Sequence, residues 1–350
     1  MISIGIFAGV LILSGLTVKV IRAIAESHQI LDVANERSSH VGSVPRGGGL
    51  AIVILTLAGV WLYVAANPQI AWSALFAYTL GAALIVSISW IDDLRSQPAW
   101  LRLLVHAIAA SIATYKFGYL NVNGSVVFNG TRAGWLALII TFMWIVGLTN
   151  AYNFMDGIDG IAGGQAVVAA LCWAATGFLM QQPFVTILGL LLAASSLGFL
   201  FYNWSPARIF MGDVGSAFLG YNFAVLPLIF VWNYQGARSP ELLLIGLLPV
   251  WPFVFDSSFT VLRRLYHHEN VFSAHRSHLY QRLVITGYSH QLVSLLYTGL
   301  AVLGTVLALG FIVRVPSITV VTPILLVVTS ASLWAFVTHR ERRQVRRENI

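Results

Sequence analysis

Asp92, Asp93, Asp156, Asp159 and Asp213 belong to a chain with only 13 acidic residues in 350, and each sits where a long apolar stretch gives way to polar residues. An aspartate at the edge of a membrane-length stretch needs a partner, so such residues mark sites that handle charge. In NAYNFMDGIDGIAGG, Asn150, Asn153, Asp156 and Asp159 recur every third residue and predict a polar stripe along one side of a helical turn. The glycines of that segment let backbones approach closely. In YNWSPARIFMGDVGS, Asn203 and Phe210 precede Asp213, which Gly212 and Gly215 flank. A few carboxylates completed by water and phosphate oxygens are the usual surroundings of magnesium. No Cys or His cluster at zinc spacing competes. Magnesium is therefore the expected cofactor, with manganese as the alternate ion.

Basic and aromatic groups complete the candidate set. Arg46 precedes a triple glycine, and free amides at such a helix start are expected to cradle an anion together with Arg37 and His40. The loop HHENVFSAHRSHLYQRL supplies His275, Arg276 and His278, with arginine forks suited to phosphate oxygens. Asp256 lies seven and eight residues before Arg263 and Arg264. It serves either a charge pair on one helix face or the site itself. Carboxylates, arginines and magnesium together suit phosphoryl transfer, which is mostly positioning and charge neutralisation.

These residues must be held by membrane helices. The chain is 58% hydrophobic and 9% charged, with a mean hydropathy of +0.80, a composition that fits an integral membrane protein. The expected fold is all-α, a polytopic bundle forming a single domain over 1–350. About eleven spans are read near 2–21, 47–66, 70–90, 100–118, 134–150, 161–180, 184–203, 209–232, 242–262, 291–313 and 317–338. The first stretch lacks a small-residue cleavage site and is expected to be a retained helix. Sixteen of the twenty Lys and Arg residues fall on loops of one parity. The positive-inside rule then places the N-terminus in the periplasm and the C-terminus in the cytoplasm of a bacterial inner membrane. The cytoplasmic segments are about 22–46, 91–99, 150–160, 203–208 and 263–290, plus a basic tail 339–350. All five aspartates fall on that face. The net charge of +7 follows from this topology and from attraction to membrane lipid, and implies no nucleic acid. The lone Cys172 lies in an apolar stretch and carries no functional signal.

PRGGGLAI, IDDLR, NAYNFMDGIDGIAGG, YNWSPARIFMGDVGS and FSAHRSHLYQRL, in this order between about residues 37 and 287, resemble the motifs of the polyprenyl-phosphate N-acetylhexosamine-1-phosphate transferases. The resemblance implies that undecaprenyl phosphate attacks the β-phosphate of a UDP-activated N-acetylhexosamine, releasing UMP. It makes Asp213 the principal magnesium ligand with Asp93 beside it. Asp92 would engage the lipid phosphate as base or positioner. Asn153, Asp156 and Asp159 would contact the nucleotide-sugar, with Asn203, Arg46, His275, Arg276 and His278 completing the substrate site. Phe210 would stack on uracil. The string HRSHLYQ departs from the consecutive histidines of the peptidoglycan branch, with Tyr280 in place of one, and resembles the subgroup that initiates O-antigen synthesis, some members of which use 6-deoxy donors such as UDP-N-acetylfucosamine. The sequence leaves the oligomeric state open, with a homodimer as one option. A lipid-linked sugar transporter or flippase is the competing class. It predicts charged groups at the bilayer midplane instead of at one face.

Overall fold

The computed structural model describes residues 2–33, 42–67, 70–119, 132–233, 241–271, 273 and 275–348. Arg37 and His40 lie outside the described residues. The chain forms α1 (Ile2–Ser27), β1 (Leu31–Val33), β2 (Ser43–Pro45), α2 (Gly49–Ala66), α3 (Trp72–Leu94), α4 (Ala99–Phe117), α5 (Arg132–Phe154), α6 (Ile161–Leu179), α7 (Pro183–Asn203), α8 (Asp213–Asn233), α9 (Glu241–Leu247), α10 (Trp251–Tyr266), α11 (Leu279–Ile285), α12 (His290–Ile312) and α13 (Ile318–Glu348).

Ten helical stretches among the described residues are long and apolar enough to span a bilayer. The expected eleventh, α4, has the length, but Arg102, His106 and Lys116 dilute its apolar character. It must nevertheless cross. The end of α3 and the start of α4 meet at one face through Asp92 and Arg102, and α5 returns to that face at Asn153. Several helices also outrun their apolar stretches at this face, α13 most of all. Backbone hydrogen bonding continues past the point where hydropathy ends.

The central helix is α8, in which every side chain from Val214 to Val231 is buried. It packs against α2, α3 and α5, while α6 packs on α7 and α12, and α1 lies against α7. Close approach relies on small residues, as expected where lipid provides no hydrophobic drive between helices. A Cβ at Gly49 would collide with the Gly215 Cα, so α2 and α8 touch backbone to backbone. Outward apolar side chains such as Ile4, Ile12, Val320 and Val327 cover the surface that lipid would contact.

One expectation of the fold changes. The span read at 242–262 is interrupted, with a 3-10 turn at Leu248–Val250 separating α9 from α10. Pro249 and Pro252 supply no N–H there, and the Gln165 amide donates to the Pro249 carbonyl inside the bundle. The all-α bundle is as expected, with one short ribbon beside it. β1 and β2 pair antiparallel, and Arg46 continues the ribbon through a parallel bridge to Phe210.

Candidate active site

The start of α8 organises the site. The first N–H groups of a helix have no partner within it, and here Asp93, in the last turn of α3, supplies one. Its Oδ1 accepts the Asp213 N–H at 2.9 Å and its Oδ2 the Val214 N–H at 3.0 Å, while Arg46 Nη1 stands 3.4 Å from Oδ1. Gly212 makes this approach feasible. Its φ of +78° turns the chain under the carboxylate, and a Cβ there would lie 2.6 Å from Oδ2. Asp93, expected as a metal ligand, is thus fully buried as the cap of α8, and both of its oxygens face protein donors. Its evident task is to aim Asp213.

Asp213 itself remains 27% exposed. Around it stand the Asp92 carboxyl and the Asn153 amide, both close enough to be felt at its carboxyl. Arg102 Nη1 lies 2.6 Å from Asp92 Oδ2 and 3.5 Å from Asp213 Oδ2, bridging the two. The adjacent aspartates of α3 therefore point differently, one to the helix start and one to Arg102. Asn153 also accepts from Ser216 Oγ at 3.4 Å.

The polar stripe over 150–159 does not stay in register, because α5 ends at Phe154. Asn150 turns aside to His106 Nδ1 at 3.0 Å. Asp156 follows the helix end and meets the charges of Asp213, Asp93, Arg46 and Asp159. Burial first, then Asp213 and Asp93, hold its carboxyl well above the usual carboxylate range. Such a group lowers stability as pH rises above about 3.8, where the unfolded chain ionises and the folded one does not. Asp156→Asn removes that penalty. In chelator, its unfolding midpoint is expected above that of the unmodified protein at pH ~7 and equal to it below pH ~3.5, while turnover falls at least about 100-fold. Differential scanning fluorimetry across pH checks the sign.

Asp159 faces away from this cluster. Its Oδ2 accepts the Ala207 N–H at 3.1 Å, and His290 Nδ1 stands 3.4 Å from Oδ1. Burial pushes its carboxyl up, but His290, Ala207 and Ser205 more than offset that and hold it below the usual range. Asn203 is equally committed, accepting the Gly160 N–H and donating to the Ile209 carbonyl, both at 3.0 Å. These two expected substrate contacts tie loop 203–208 to the start of α6. The triple glycine is not an anion cradle. Gly48 and Gly49 donate their amides to the Phe210 and Met211 carbonyls at 2.9 Å. That pairing sets Arg46 and Phe210 side by side, and Arg46 also reaches Asp32 at 3.4 Å. Burial alone would lower the Arg46 pKa, but Asp93, Asp32, Asp213 and Asp156 raise it, so it stays cationic.

The second wall is built around Asp256, which pairs with neither Arg263 nor Arg264. Wholly buried on α10, it accepts from the Leu279 N–H at 2.8 Å, the Tyr280 N–H at 3.1 Å, Thr260 Oγ1 at 3.2 Å and the Tyr297 hydroxyl, with His278 Nδ1 at 3.3 Å. One carboxylate thereby fixes the start of α11. The Tyr280 hydroxyl donates to the Phe154 carbonyl at 3.0 Å and rests on Gly157, where a Cβ would strike it. This joins the two loops. His275 lies tilted against His278, ring centroids 5.1 Å apart, and burial, then His278 and Arg264, push it down to about 4. It is therefore neutral at pH 7, so the expected cationic cluster rests on arginine. Arg276 is half-buried, close enough for its charge to be felt at Tyr280.

Among the described residues, no three His, Cys, Asp or Glu side chains form a ready metal cage. The donors around Asp213 are nonetheless all oxygen, with four acidic groups (Asp92, Asp93, Asp156, Asp213) against two arginines. That excess suits a divalent ion held by one or two carboxylates and completed by substrate oxygens, as magnesium prefers. Arg102, Tyr280 and His106 were missed as site residues. An arginine ten positions after Asp92, in the first turn of a membrane-length helix, was the available signal for the first.

All five aspartates sit at or just beyond helix ends on one face, not the placement that the transporter reading expects. The sequence matches glycosyl transferase family 4 over residues 75–231. It is 32% identical over 329 residues, 92% of this chain and 85% of the relative, to a probable undecaprenyl-phosphate N-acetylglucosaminyl 1-phosphate transferase of Bacillus subtilis. It is also 32% identical to a decaprenyl-phosphate N-acetylglucosaminephosphotransferase of Mycobacterium leprae, over 75% of this chain and 71% of that one. A phospho-N-acetylmuramoyl-pentapeptide-transferase of Latilactobacillus sakei is 28% identical over 69% of this chain and 77% of its own. With the carboxylate and arginine cluster at the mouth of a multi-pass helical bundle, this similarity shows that the chain belongs to glycosyl transferase family 4, the polyprenyl-phosphate hexosamine-1-phosphate transferases.

Proposed function

We propose that the protein transfers a sugar-1-phosphate from a UDP-N-acetylhexosamine to undecaprenyl phosphate, at the cytoplasmic face of a bacterial inner membrane. A lipid phosphate oxygen forms the new bond to the donor β-phosphorus, the bond from that phosphorus to the bridging oxygen breaks, and UMP leaves. The observation that carries this reading is the gathering of Asp92, Asp156 and Asp213 with Arg46 and Arg102 at one end of the bundle. A phosphate monoester is largely dianionic near pH 7, so the chemistry asks less for a base than for groups that hold two anions together. Asp213, with Asp92, would hold magnesium, which supplies charge neutralisation of the transferring diphosphate. Arg102 positions the lipid phosphate beside Asp92. Asn153, Asp156, Arg46 and Arg276 contact the donor, and Phe210 stacks on its uracil. Asp159, Asn203 and His278 shape the loops that carry those groups.

The named sugars of the Bacillus and Mycobacterium relatives favour UDP-N-acetylglucosamine as the first donor to test. The HRSHLYQ string keeps UDP-N-acetylfucosamine beside it and favours a product that starts O-antigen synthesis. Purified protein is expected to release UMP only when a UDP-N-acetylhexosamine, undecaprenyl phosphate and magnesium are all supplied. Equal release without the lipid would sink this function.

A further inference from the structure

We propose that the last helix, α13, clamps the segment from His275 to Tyr288 in the position that donor binding requires, with Glu341 and Arg282 as positioning residues. This rests on reading that segment as part of the donor site. With seven residues, α11 is too short to hold its own conformation, so what anchors its two ends sets where His278 and Tyr280 stand. Asp256 anchors the start. At the other end the Arg282 guanidinium is clasped by Glu341 through two hydrogen bonds, Nε to Oε1 at 2.6 Å and Nη2 to Oε2. Planar two-point pairing fixes orientation as well as distance. Arg282 is only 8% exposed, and its carboxylate partner on α13 keeps 35% of its side chain open to solvent.

Independent contacts support the same docking. The Arg340 guanidinium lies over the rings of Tyr288 and Phe336, at 5.2 and 5.4 Å. Leu333 and Val337 are buried in the core that includes Leu283, with Val284 and Tyr288 against it. Farther along α13, Val320, Ile324, Val327 and Val328 face outward. Glu341 is the lone acid among His339, Arg340, Arg342 and Arg343, and it is the residue turned to Arg282. Movement of α11 would carry along His278, whose carbonyl accepts the Arg282 N–H at 3.0 Å, and Tyr280, which bears on the Asp156 loop.

Two readouts on the full-length protein in detergent test the clamp, with Glu341→Gln and the exchanged pair Arg282→Glu/Glu341→Arg. Glu341→Gln is expected to raise the KM for UDP-N-acetylglucosamine about tenfold, the scale of one charge-assisted interaction. The KM for undecaprenyl phosphate and kcat should stay within about twofold, and the exchanged pair should restore most of the donor KM. Without substrate, amide hydrogen exchange should quicken over 279–288 and not in α8. An unchanged donor KM with unchanged exchange overturns the clamp. So does a uniform loss of both KM values, kcat and thermal stability that the exchanged pair fails to restore, since that marks a purely structural contact. If the unmodified protein transfers no sugar phosphate, the functional reading fails, and the exchange measurement alone decides the clamp.

Discussion

Asp213→Asn is expected to abolish UMP release, by at least about 1,000-fold in kcat, while leaving the protein folded. The two halves of this outcome have separate causes. The side chain is the partly exposed centre of the oxygen cluster, flanked by Asp92, Asn153 and Arg102. Asparagine keeps the shape but gives up the charge that a divalent ion and a diphosphate require. The fold, by contrast, uses the Asp213 main-chain N–H, which Asp93 accepts at 2.9 Å whatever side chain follows. Removing one of several crowded carboxylates also lessens repulsion. The unfolding midpoint is therefore expected to be unchanged or higher. Single-turnover UMP release alongside thermal unfolding in the same detergent checks both, and turnover within tenfold of the unmodified protein would remove Asp213 from the centre of the mechanism.

Asp256→Asn is expected to do the reverse, lowering stability first and activity as a result. The carboxylate is wholly buried and accepts from two main-chain amides, Thr260, Tyr297 and the His278 ring. An asparagine would turn an amide N–H₂ toward groups that are themselves donors and leave at least one unsatisfied. Leaving a buried polar group of this cluster unsatisfied costs about 1–3 kcal/mol. The destabilisation should appear as a lowered unfolding midpoint. Surviving protein should show at least about a 100-fold loss in kcat/KM for the donor, because His278 and Tyr280 lose their anchor. A variant that is fully stable yet inactive would instead place Asp256 in contact with substrate.

Much of the architecture was legible because lipid imposes a coarse constraint. Runs of roughly 20 apolar residues must be helices that satisfy their own backbone groups. The expected spans therefore match the observed long helices in order, ten of them apolar enough to cross a bilayer among the described residues and α4 the eleventh by its course, with ends extended by several residues at the site face. The misreadings share one physical cause, which is that backbone partners are set by neighbours far along the chain. The triple glycine looked like an anion cradle, yet its amides go to Phe210 and Met211, more than 160 positions away. For Asp256 the sequence left open a pair with Arg263 and Arg264 on its own helix or a place in the site, and it caps a helix that starts at Leu279. Proline placement was visible in 242–262, but the break it makes depends on Gln165 of α6 accommodating the Pro249 carbonyl.

Residue types and order were enough to read a membrane bundle with a phosphate-handling, acid-rich face, because hydropathy and charge are properties each residue carries alone. The division of labour within that face was decided by packing. Asp92 and Asp93 are neighbours of identical chemistry, and nothing local separates them. Only the arrival of the α8 start beside α3, allowed by Gly212 and by the close contact of Gly49 with Gly215, assigns one to capping and leaves the other with Arg102 at the open site. Asp156 and Asp159 separate in the same way: one is left among like charges at the mouth, while the other is held by His290 and the Ala207 amide. A carboxylate's role depends on which donors the fold brings within about 3 Å of it, and these donors come from helices that are remote in sequence.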